Sequence, residues 1–229
     1  MADLSIIEAM LRNRFRFFGE VRDGVALPAK IRALATFSAA CFALYGAVIG
    51  SDHSWQQALS SAVKLPVLFL VTLLVCLPTL HFFNVLFGSS LSLRQNFALL
   101  LTAIAVTAVV VVAFAPVVLF FMITTNQYQF FKLLNVGVFA IAGLVGVNYL
   151  SQAMRMTVAV DRSGARARLN LMRVWIVLYA FVGSQLAWTL RPFFGARTLP
   201  FELFRDLGGN FYANITASIG ELLGFYIVR

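Results

Sequence analysis

Charge is what this chain has least of. Asp, Glu, Lys and Arg together make up 12% of its 229 residues, against about 25% in a soluble domain. Acidic groups are the scarcest, nine against eighteen basic ones. Cysteine is limited to Cys41 and Cys76, both inside apolar runs, so no disulfide framework is encoded and both read as packing residues. Histidine is limited to His53, in a loop, and His81, in the second apolar run, and these do not make the paired ligands of a membrane haem or metal centre. HExxH, GxSxG, a Walker loop and CxxC are missing as well, and with them the common catalytic and cofactor motifs. No cofactor is expected.

What is present is apolar. Hydrophobic residues make up 61% of the chain, and the mean hydropathy is +0.87. A water-soluble fold of this length has no interior large enough for that surface, so the expected solvent is lipid. Length and composition exclude a soluble catalyst, a disordered tail and a coiled coil. The net charge of +9 does not indicate nucleic acid, because the basic residues flank apolar runs and form no basic domain.

A span needs about 20 apolar residues to cross about 30 Å of hydrocarbon. Five such runs occur, at about 33–50, 65–88, 97–123, 130–150 and 171–190. The expected fold is an all-α integral membrane protein. Residues 1–30 form a basic amphipathic cytoplasmic leader, 31–190 the five-helix bundle and 191–229 a structured far-side tail. The first apolar run lies behind a charged leader and not at the terminus, so no cleavable signal is expected. Twelve Lys and Arg fall on the side of the leader and the 155–173 loop, and six on the other. This bias places the N-terminus in the cytoplasm and the C-terminus across the membrane, as in a bacterial inner membrane.

Leu4, Ile7, Leu11, Phe15 and Phe18 recur at helical spacing, which predicts an amphipathic helix over 4–18. Arg12, Arg14 and Arg16 would meet anionic lipid headgroups at the cytoplasmic face, unless the helix packs on its own chain. The tail is aromatic but broken by Asp206 and Glu221. It reads as one or two short surface helices, with a re-entrant or sixth span as the alternative.

The predicted spans hold no Asp or Glu, which disfavours proton-coupled transport. Their deep polar residues include His81, Asn84, Asn135 and Gln185. His81 and Asn84 share a helix face just past Pro78, so this set could line a small polar cavity or bond neighbouring helices. The small-residue stripes, Gly46-xxx-Gly50 and Gly137, Gly143 and Gly146, suit close helix contacts within one protomer or between copies.

The stretch from Gln185 to Arg205 is the most individual. Trp188 falls at interface depth, Arg191 at the end of the fifth span, and Pro192 stops that helix. Glu202, Arg205 and Asp206 follow close enough to fold back. The expectation is a cap in which Arg191 pairs with Glu202, Asp206 or tail carbonyls, or else a docking surface for a partner.

The threading over about residues 30–190 resembles that of the Yip family of membrane-trafficking proteins and its loosely related bacterial members. The run around Trp188-Thr-Leu-Arg-Pro-Phe is similar to one in uncharacterised bacterial multipass proteins. The family's Asp-Leu-Tyr-Gly-Pro motif is absent, so no functional residue is carried over. The resemblance implies a non-enzymatic membrane organiser. Three functions follow: an oligomeric scaffold or subunit of a membrane complex, partnered by itself or other membrane proteins; a passive small-solute channel; and a lipid-acting enzyme with His81 as general base. The first is the leading expectation.

Overall fold

A computed structural model describes residues 2–86, 89–125, 127–160, 165–195, 200–205 and 208–223. All regular structure among them is helical: α1 (Ala2–Arg12), α2 (Arg14–Arg22), α3 (Leu27–Gly50), α4 (Trp55–Leu86), α5 (Leu93–Ala113), α6 (Ala115–Thr124), α7 (Tyr128–Val160), α8 (Ala165–Leu190) and α9 (Phe211–Leu222). Five stretches are long and apolar enough to cross a membrane: Leu27–Gly50, Trp55–Leu86, Leu93–Thr124, Tyr128–Met156 and Asn170–Leu190.

These stretches begin earlier than hydropathy alone suggests, and local chemistry explains where. α4 starts at Trp55, nearly three turns before the apolar run, because Gln57, Ser61 and Lys64 have partners inside the fold. Pro66 and Pro78 both lie within that helix. α5 opens on a capping box: Ser92 accepts from the Gln95 backbone N–H, and the Gln95 side chain accepts from the Ser92 N–H, satisfying two orphan donors at once. The third run is split at Phe114, with Pro116 in the first turn of α6, where its missing N–H costs no hydrogen bond. The turn between α2 and α3 needs left-handed backbone at Gly24 and Ala26, φ +79° and +52°.

The bundle is an arc. α8 packs on α4, α4 on α3, α3 on α5 and α5 on α7, while α7 and α8 touch each other only sparsely. Close approach between α3 and α4 depends on Gly46 and Gly50, since a Cβ there would lie 2.3 Å from the Ser61 carbonyl oxygen and 2.5 Å from that of Gln57. Gly46-xxx-Gly50 is therefore an intramolecular contact. At Gly146 a Cβ would meet Thr107 Oγ1 of α5 at 2.1 Å, whereas Gly137 and Gly143 have nothing within 4 Å.

The leader differs from one continuous amphipathic helix. Asn13 leaves helical geometry at φ −124°, ψ 52°, and separates α1 from α2. Ile7, Met10, Phe17, Phe18 and Val21 are buried, while Leu4, Leu11 and Phe15 are exposed. The break turns the two halves independently, so Phe17 joins Phe18 in the core. Tyr149 donates to the Met10 carbonyl and Gln95 to that of Arg22. Lys30, buried at the start of α3, donates to Glu20 at 2.9 Å and to the Val25 carbonyl at 2.9 Å. The leader is thereby fixed to the bundle end that carries the α4–α5 connection.

Candidate functional site

The opposite end of the bundle carries the tail. α8 stops at Leu190, and Pro192 follows a cis peptide bond. Gln57, Ser61 and Lys64 lie four and three residues apart on α4, hence on one face, and that face is aimed at the chain leaving α8. Gln57 donates to the Pro192 carbonyl at 2.9 Å. Ser61 donates to the Phe193 carbonyl. Lys64 donates to the Pro192 carbonyl at 3.2 Å and to that of Leu203, and its ammonium stands 4.8 Å from the centre of the Phe204 ring. Carbonyl dipoles and an aromatic face thus surround a buried ammonium. Lys64 was not singled out in the sequence; its place among polar residues just before an apolar run was the available signal.

Beside this anchor lie the residues expected to cap the tail. The Arg191 guanidinium stacks over Trp188 at 3.3 Å from the ring centre and makes a long 3.5 Å contact to the Gly208 carbonyl. Burial, and then the nearby Arg205 cation, lower its pKa. Glu202 pairs with Arg205 at 3.0 Å, and the Arg205 N–H donates to the Arg191 carbonyl at 3.2 Å. Glu202 is therefore drawn to the cap through Arg205. Asp206 lies outside the described residues. α9 starts at an Asn210 cap, whose side chain accepts from the Ala213 N–H at 2.8 Å. It bridges the ends of α7 and α8, with Lys132 donating to Asn214 at 2.9 Å and Gln129 to Glu221 at 2.7 Å.

Between α7 and α8 runs a slot of about 810 Å³. Leu68, Leu73, Leu100 and Ile104 supply its floor from α4 and α5. Its two ends differ. Tyr128, Lys132, Trp188, Arg191 and Arg205 line the tail end, while Leu150, Leu73 and Trp175 line the remainder toward the leader. α8 is held to the floor by two long-range hydrogen bonds, Trp175 Nε1 to the Cys76 carbonyl at 2.8 Å and the Tyr179 hydroxyl to that of Phe69 at 3.2 Å. Volume and lining match a small-molecule pocket, which is mostly apolar with a few convergent polar groups.

Of the four deep polar residues that could line a cavity or bond neighbouring helices, only His81 and Asn84 share a cluster. Asn135 lines the slot, but its amide is bound to Tyr45 at 2.8 Å and to the Phe131 carbonyl at 2.8 Å. Asn84 donates to Asn96 at 3.3 Å, and Asn96 lies 3.0 Å from His81 Nδ1, forming a separate α4–α5 cluster. Asn96 was not picked out from the sequence. Gln185 is half-buried on α8. In the leader, Arg12 pairs with Glu8 at 2.6 Å and Arg16 with Glu20 at 2.9 Å, while Arg14 lies over Phe15.

Comparison with protein-family models, curated proteins and solved structures returns no match.

Proposed function

We propose that the chain is a non-catalytic five-span membrane protein that acts as a scaffold or subunit of a membrane complex. The leader lies in the cytoplasm, the orientation that the Lys and Arg bias supports, and the tail on the opposite side. The supporting observation is where the polar side chains at depth are directed. Asn135, Lys64, Gln57 and Ser61 bind other helices or tail carbonyls, and His81 meets Asn96. Such contacts organise a fold. They also hold the tail as an ordered platform over the bundle end, the kind of surface a partner can dock on.

Extraction from native membranes into polymer nanodiscs, followed by mass measurement and crosslinking from cysteines placed on α9, tests the reading. The expected result is a homo-oligomer or a constant-stoichiometry complex crosslinked through the tail face. A lone monomer that passes small solutes across liposomes would establish the pore instead. Lipid turnover abolished by His81→Ala would establish the enzyme.

A further inference from the structure

We propose that the slot between α7 and α8 holds one anionic membrane lipid, with an acyl chain along the slot and a phosphate headgroup at Lys132, Arg191 and Arg205. This rests on the reading of the five apolar stretches as membrane spans. The slot runs on α7 from Gln129 to Leu150, about 30 Å at 1.5 Å per residue, so an acyl chain reaching from the tail end through one leaflet, about half of the hydrocarbon core, lies wholly within it. α7 and α8 pack on different helices and meet only sparsely, so the slot lies where a bilayer lipid can enter from the side. Its walls offer water few partners, and in a bilayer hydrocarbon is the available filling.

Charge complementarity selects the headgroup. The three cations line one end, and Leu73, Leu150 and Trp175 line the rest. Among the described residues two carboxylates stand nearby: Glu202 pairs with Arg205, and Glu221, which accepts from the Gln129 amide, also attracts Lys132, so the three cations outnumber them by one. Lys132 is bound to a neutral amide oxygen, that of Asn214. Trp188, also at this end, has a buried indole N–H without a hydrogen-bond partner among the described residues. Cationic and neutral donors gathered at one end of an apolar slot suit a phosphate whose diacyl body continues into it.

The test uses the full chain carrying Trp55→Phe, which leaves Trp175 and Trp188 as the fluorescent reporters. It is reconstituted in phosphatidylcholine nanodiscs containing a minor fraction of chain-brominated phosphatidylglycerol, or the same fraction of brominated phosphatidylcholine. Occupancy predicts tryptophan quenching with a preference of roughly fivefold or more for the anionic lipid, the scale of about one interfacial cation. Lys132→Gln with Arg205→Gln should remove the preference. Gly143→Phe, placed in the open slot away from the tail, should reduce quenching by both lipids. Heat-induced labelling of Cys76 checks that both variants remain folded. Equal quenching by the two lipids in the parent chain, or quenching that Gly143→Phe leaves at the parent level, overturns the proposal. Loss of the preference on adding inorganic phosphate also overturns it, since the end of the slot would then be a plain anion site. Failure of the chain to enter nanodiscs would refute the membrane reading itself.

Discussion

Replacing Gly46 by alanine tests the α3–α4 contact on which the tail anchor depends. A Cβ there would lie 2.3 Å from the Ser61 carbonyl oxygen, and the next nearest atoms, Ser61 C and Ala62 N, are also backbone. No side chain can swing away, so the helices must part by about 1 Å, a gap that forfeits a quarter to a half of each dispersion contact across the seam. Overpacking of this kind costs about 1–3 kcal/mol. Ser61 and Gln57 also bind the carbonyls of Phe193 and Pro192, and each such hydrogen bond contributes about 1 kcal/mol. Together these give about 3–5 kcal/mol, or a thermal midpoint lowered by roughly 6–20 °C for a chain of this size. Cys76 is buried and Cys41 half-buried, so with Cys41→Ala a thiol-reactive dye reports exposure of Cys76 during heating in detergent. Gly137→Ala is the control: nothing lies within 4 Å of its added Cβ, and relief of glycine's backbone entropy should stabilise by about 0.5–1 kcal/mol. Equal midpoints for Gly46→Ala and the parent, or equal damage from Gly137→Ala, would refute the close-packed seam.

Lys64→Met should leave insertion intact but release the tail, because the carbonyls of Pro192 and Leu203 lose their donor; protease cleavage within 191–210 should accelerate about tenfold or more for a loss of about 1.5–3 kcal/mol. Glu20 is held below its usual pKa first by the hydrogen bond from Lys30 and then by that from Arg16. A depressed carboxylate stabilises above its unfolded pKa and loses that contribution as pH falls through its folded one. Hydrogen exchange in α2 should therefore rise on acidification below the usual carboxylate range, and Lys30→Gln should flatten the dependence. For the threading, Ser51→Cys should react with an impermeant thiol reagent outside intact cells and Ser90→Cys should not, with Cys41 and Cys76 replaced beforehand; the opposite pattern would invert the proposed orientation.

The five apolar stretches were legible because hydropathy over about 20 residues is a sum, insensitive to any single position. Their ends were not, since they depend on pairings invisible to a window: Gln57, Ser61 and Lys64 look like loop residues until the Pro192, Phe193 and Leu203 carbonyls are beside them. The leader's period suggested one helix, whereas Asn13 breaks it. Of the group that stood out in sequence, Trp188, Arg191 and Arg205 line one end of the slot and Glu202 pairs with Arg205, while Asp206 lies outside the described residues. Lys132, more than fifty residues earlier, could join them only through the packing of α9 across α7. The slot itself leaves no sequence trace, because it exists where α7 and α8 fail to meet.

The α4 anchor also has a consequence in time. Gln57 and Lys64 wait for partners 128 to 139 residues downstream, an interval of about 6–30 s at ordinary synthesis rates. On the proposed threading, α4 enters the bilayer with these donors unmatched, and they are satisfied only once the segment after α8 has crossed. A chain that stalls before Pro192 presents a lysine at the membrane boundary with no carbonyl to bind, a lesion open to membrane proteases. On that threading the anchor closes only after the last crossing, so the packing of the second helix is finished last.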